Sequence, residues 1–152
     1  MIRLNALTDY AVVILAQMTR DPAKLVTAAQ LAEETAVPAP TVSKVLKELA
    51  REGVLTSHRG VNGGYVLAGK PEDITVLQII RALEGPVALT SCVDGSLSDC
   101  DVESLCPMRG NWERVNIAVR SALGSVTLAD MAVPSMTYDP PKRAGQEAVH
   151  GS

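Results

Sequence analysis

The sequence predicts a mainly α-helical chain with one small β-hairpin, followed by a loop and a long late helix. Three observations carry that prediction. Apolar residues recur at helical spacing in four stretches before residue 85. The periodicity switches to short extended runs only once, after Gly53. Apolar residues make up 47% of the 152, yet Phe is absent and Trp occurs once, so the core must be built from Ala, Val, Leu, Ile and Met. That is the composition of closely spaced helices.

The first helix is expected over Asp9–Met18, with Thr8 placed as its cap. Val12, Leu15 and Ala16 share one face, and Ala11, Ile14 and Met18 another. Asp21-Pro22 breaks the chain, and Thr27 opens a second helix running to Glu34, with Gln30 in the capping-box position. Val37-Pro38-Ala39-Pro40 reads as a turn. Pro40 suits the first position of a third helix, where its missing N–H costs nothing, and Val42, Val45, Leu46 and Leu49 form the inner stripe up to Gly53. Beyond it, residues 54–59 can extend, residues 60–64 can turn back, and residues 65–68 can return as a second strand. A further amphipathic helix is expected over Thr75–Leu83, ended by Gly85-Pro86. The last covers Asn111–Leu123, where Trp112, Val115, Val119 and Leu123 fall at helical spacing with Ile117 nearby.

Two short helices joined by a tight turn make a helix-turn-helix, and a hairpin directly after it makes a wing. The second helix would show Thr41, Ser43, Lys44 and Lys47 to a major groove, and Arg59 at the hairpin tip can reach a minor groove. Lys47 and Arg51 suit phosphate contacts, and Gly63 and Gly64 belong to the tip. His58 reads as a wing or phosphate residue. The net charge of −3 does not advertise such a partner. Its distribution does: Lys44, Lys47, Arg51 and Arg59 face only Glu48 and Glu52 between residues 40 and 60, whereas Asp94, Asp99, Asp101 and Glu103 cluster between 90 and 106 with no base. Screening over roughly 8–10 Å lets a local basic face act independently of distant acids. The expected partner is double-stranded DNA, and an apolar helix so late in a small domain is best covered by its copy in a homodimer.

The three cysteines lie in one stretch, Cys92-x7-Cys100-x5-Cys106. An odd number argues against a disulfide framework. Gathered thiolates are soft ligands for an iron–sulfur cluster or zinc. Structural zinc usually takes four protein ligands, commonly from a C-x2-4-C knuckle, which is missing. A thiol–disulfide switch is the third alternative. No Cys–His–acid set and no Gly-rich phosphate loop is suggested, so an enzyme is not expected. No apolar run reaches about 18 residues and the N-terminus lacks a signal-peptide pattern, so the expectation is a cytoplasmic protein with no membrane partner. The chain divides into a DNA-binding unit (1–85), a cysteine loop (86–110), a dimerisation helix region (111–132) and a disordered tail (133–152).

Leu7-Thr8-Asp9-Tyr10-Ala11, the helix Pro40–Lys47, the wing Arg59–Tyr65 and the cysteines followed by Asn111-Trp112 resemble the bacterial winged-helix family of iron–sulfur and nitric-oxide responsive regulators. Leu83-Glu84-Gly85-Pro86 and Arg109-Gly110-Asn111-Trp112 are similar to the branch that regulates SUF iron–sulfur assembly genes. The resemblance implies a homodimeric repressor whose cluster, 2Fe–2S with 4Fe–4S as the alternative, is ligated by Cys92, Cys100 and Cys106. In one relative a histidine three residues after the last cysteine completes the site. Here that place is Arg109, which stays protonated and cannot ligate. Asp9 matches the place where the nitric-oxide-sensing relative uses an aspartate from the partner subunit. It suits equally a carboxylate favoured by the helix N-terminus.

Overall fold

The computed structural model of the chain describes residues 3–89, 107 and 109–133. All three cysteines and the expected tail from residue 134 onward lie outside the described residues. Among the described residues, six helices and a two-stranded antiparallel hairpin follow in the order α1 (Ala6–Met18), α2 (Ala28–Thr35), α3 (Ala39–Arg51), β1 (Leu55–His58), β2 (Gly64–Leu67), α4 (Val76–Glu84), α5 (Arg109–Ser125) and α6 (Leu128–Ala132).

Helix α1 begins three residues earlier than its spacing predicts, and its cap is Asn5. The Asn5 side chain accepts from the Thr8 amide at 2.8 Å. Thr8 is fully buried inside the first turn, and its hydroxyl is committed elsewhere, to Glu84. Helix α2 has the expected cap: the Thr27 hydroxyl accepts from the Gln30 amide, and Gln30 Oε1 accepts from the Thr27 amide. The turn is Ala36–Pro38 rather than 37–40. Ala36 takes a left-handed φ of 59° to end α2, and α3 starts at Ala39 with Pro40 second, a place that tolerates proline as well as the first.

The core is a single apolar cluster between these helices. Ile14 and Leu15 of α1, Leu31 of α2, and Val42, Val45, Leu46 and Leu49 of α3 are fully buried, together with Ile79 of α4 and Leu128 of α6. Each such aliphatic side chain contributes about 1.5–3 kcal/mol of burial, which fixes α3 against α1 and α2. Gly53 stops α3 with a φ of 80°, and the chain enters the hairpin. Leu55 pairs with Leu67 and His58 with Gly64. Val26, just before α2, adds a bridge to Tyr65, with amide-to-carbonyl hydrogen bonds of 2.9 and 2.7 Å. The wing is thereby tied to the helical body.

A second capping box, Thr75 with Gln78, opens α4. Helix α5 is longer than expected, and its apolar residues part company. Val119 and Leu123 are half-buried, whereas Trp112, Val115 and Ile117 stay 44%, 45% and 54% exposed. Asn116 takes the buried place between them. The short α6 was not legible as a separate element. Thr127 and Asp130 close a third capping box, and the Thr127 amide, helped by its hydroxyl, holds the Asp130 carboxyl below its ordinary 3.8. Leu128 anchors α6 in the core, with its amide donating to the Ile74 carbonyl at 2.7 Å. No helix among the described residues is long and apolar enough to cross a membrane.

Candidate nucleic-acid interface and sensor region

The inner stripe of α3 leaves the opposite face to solvent. Lys44 and Lys47 are exposed there, while Thr41 and Ser43 are only half-exposed beside them. Arg51, at the last turn, is not a free cation: its guanidinium pairs with Glu48 one turn back and lies 3.6 Å from Glu52. Exposed pairs of this kind stabilise weakly, but both acids reduce the charge that Arg51 can offer a phosphate. Arg59 is exposed beside the hairpin turn, together with His58.

Gly63 and Gly64 shape that turn by having no side chain. A Cβ on Gly63 would stand 2.3 Å from the His58 carbonyl oxygen, and one on Gly64 would stand 2.5 Å from that of Val26. Only glycine lets the wing close on itself at the first position and lets Val26 approach at the second.

At the far end of the molecule, Asp9 sits in the first turn of α1 with its carboxylate exposed. It lines an open cleft with Arg3, Leu4, Asn5, Ala6 and Glu84. The two acids differ in one respect. One Glu84 oxygen, Oε1, accepts the Asn5 amide at 3.0 Å and the Thr8 hydroxyl at 2.6 Å; Asp9 is engaged by no described side chain. Of the two, Asp9 is the carboxylate left unengaged among the described residues. A second cleft, of about 570 Å³, between α4 and α5 has Ile80, Val87, Leu89, Val119 and Leu123 in its lining. It lies at the root of the cysteine loop. No cluster of three or more His, Cys, Asp or Glu able to hold a metal occurs among the described residues.

Two polar residues escaped the sequence reading. Glu84 stands in the Leu83–Pro86 motif with no local partner, and its hydrogen-bond partners lie 79 and 76 residues away. Asn116 is 1% exposed and its Oδ1 has no hydrogen-bond partner among the described residues. A polar residue at i+4 from Trp112 and i−3 from Val119 was the one available signal.

A lysine-bearing helix behind a tight turn, with a bridged hairpin beside it, defines a winged helix-turn-helix transcriptional regulator. The chain belongs to the Rrf2 family: the model described as an iron-dependent transcriptional regulator matches residues 4–134. An rrf2-like HTH-type transcriptional regulator of Rhodobacter capsulatus is 30% identical over 116 residues, covering 74% of this chain and 77% of that protein. Among solved structures, CymR, the global cysteine regulator of B. subtilis, aligns with a TM-score of 0.65 and 28% identity over 87% of this chain and 97% of its own. The IscR structure from T. potens aligns with a TM-score of 0.60 and 29% identity over 86% and 85%.

Proposed function

We propose that this regulator is a cytoplasmic homodimeric repressor of iron–sulfur assembly genes, with an iron–sulfur cluster as its sensor. Cys92, Cys100 and Cys106, with Asp9 of the partner subunit, would hold the cluster. The observation that carries this is the coincidence of three thiols in one insertion between α4 and α5 with an exposed, unengaged carboxylate on α1. Three thiolates and one carboxylate are a donor set that iron accepts, and a cluster tolerates a non-cysteine fourth ligand. Bound there, the cluster supplies a restraint on the loop that oxidation, nitrosylation or loss removes.

On DNA, Lys44 and Lys47 with Thr41 and Ser43 face the major groove, Arg59 enters the minor groove, and Gly63 and Gly64 keep the wing tip thin enough to follow it. Arg51 acts on a phosphate only by exchanging Glu48 and Glu52 for it. The exposed Trp112 and Val115, three residues apart on α5, are the patch a second copy covers, which places two recognition helices about 34 Å apart. A coupling of about 1–3 kcal/mol between loop and DNA would change operator occupancy 5- to 150-fold.

Anaerobic purification with assays of iron and sulfide, then gel-shift titration of loaded and metal-free protein on the promoter of its own gene, tests the reading. Coloured protein with unequal affinities is expected. Iron-free protein of undiminished affinity would sink it and leave the metal-free thiol–disulfide switch, a reading that the likeness to a cysteine regulator favours. Within the cluster reading, Asp9→Ala should lose absorbance and iron; unchanged spectra exclude that carboxylate.

A further inference from the structure

We propose that Glu84 is a positioning residue that couples the root of the cysteine loop to α1, and through α1 to the recognition helix. The proposal rests on the cluster reading above. Glu84 ends α4, and Gly85 follows with a φ of 84°, so the chain turns off the helix at that point into the segment leading to Cys92, eight residues on. The earlier part of α4 is immobilised: Ile79, Ile80 and Ala82 are buried. Glu84 therefore stands where a fixed helix meets the loop.

From there its Oε1 fastens two positions of α1 at once. It takes the amide of the cap residue, Asn5, at 3.0 Å and the hydroxyl of the fully buried Thr8 at 2.6 Å. Asn5 Oδ1 in turn accepts the Thr8 amide at 2.8 Å and lies 3.1 Å from the Thr8 hydroxyl, so the three residues form one closed set. Asp9 is the next residue after Thr8. Where the loop pulls or releases Glu84, the position of the Asp9 carboxylate and the first turn of α1 must follow. The other end of that path is rigid, because Ala11, Ile14 and Leu15 pack in the same core as Val42, Val45, Leu46 and Leu49 of α3. Packed cores pass on such displacements instead of absorbing them.

The full chain carrying Glu84→Ala, Glu84→Gln or Thr8→Val is purified anaerobically, and the affinity for the promoter fragment is measured loaded and metal-free, with the melting temperature of the metal-free form. Wild type should show a loaded-to-free ratio away from one, on the order of 5- to 150-fold. In Glu84→Ala that ratio should fall to within about twofold of unity. Glu84→Gln, whose oxygen still accepts both bonds, should restore it, and Thr8→Val, which removes one bond, should fall between. A merely structural staple would lower the melting temperature and weaken both forms alike, leaving the ratio; that outcome overturns the proposal. A wild-type ratio of one overturns this proposal and the cluster reading together. A wild-type ratio kept in Glu84→Ala overturns the proposal alone. Should Glu84→Ala not fold, Thr8→Val decides in the same way.

Discussion

At the level of single residues, charge pairing separates cations that look equivalent in the sequence. Lys44 and Lys47 stand free in solvent, whereas Arg51 is held by Glu48 and Glu52. Each phosphate neutralised releases condensed counterions, so Lys47→Ala should flatten the salt dependence of DNA affinity by about one unit. Arg51→Ala should flatten it by clearly less, since the native ion pairs already offset that charge. Titrations across a salt series check both, and an Arg51→Ala slope equal to that of Lys47→Ala would show that the pairs open on DNA. Gly64→Ala makes a different point. The Val26 carbonyl stands where the new Cβ must go, so the strand bridge should break at a cost of about 1–3 kcal/mol. Thermal melting together with gel-shift affinity reads this, and an unchanged melting temperature would mean that the wing absorbs the methyl by shifting.

Elements show how a helix can be right in kind and differ in what it buries. Helix α5 forms where its periodicity predicts, yet its best-buried residue is Asn116, not one of the apolar stripe. A buried amide oxygen without a partner costs about 1–3 kcal/mol. Asn116→Leu, which keeps the branched shape with bulkier ends and is free of that penalty, should therefore raise the melting temperature by several degrees. A lower melting temperature would mean that the amide finds its hydrogen bond in the assembled protein. Helix α6 depends on the Thr127–Asp130 box and on Leu128, and by packing on α1 it closes the chain over the core.

On the scale of the whole molecule, the apolar residues that α5 leaves exposed set the expected assembly. Trp112, Val115 and Ile117 leave about half their surfaces in water, and Trp112 with Val115 forms a patch that the described residues do not cover. Val115→Glu should put a charge at the centre of that patch and yield monomers, seen as a halved mass in light scattering, with DNA affinity falling steeply because two linked half-sites become one. A dimeric Val115→Glu protein would place the interface elsewhere. Through α1 and α4, which both pack on α3, the same body links the residues before the cysteine segment to the helix proposed to read DNA.

The sequence by itself determined the helix-turn-helix, the wing and most boundaries, because hydrophobic period, capping boxes and glycine stops act within a few residues of one another. Thr27 with Gln30, the α3 stripe and the turn after Gly53 are all short-range signals, and so is the cysteine spacing. The Asn5 cap and the pairing of Arg51 with Glu48 and Glu52 are local as well, spanning three residues or fewer. Only the tertiary structure decided that Thr8 is a buried donor, that Gly64 is needed by Val26, and that Glu84 grips α1. Each of these depends on a group brought near from elsewhere, by up to 79 residues in the case of Glu84 and Asn5. Hydrogen bonds of that reach follow from packing, and nothing in a local window of residues encodes them.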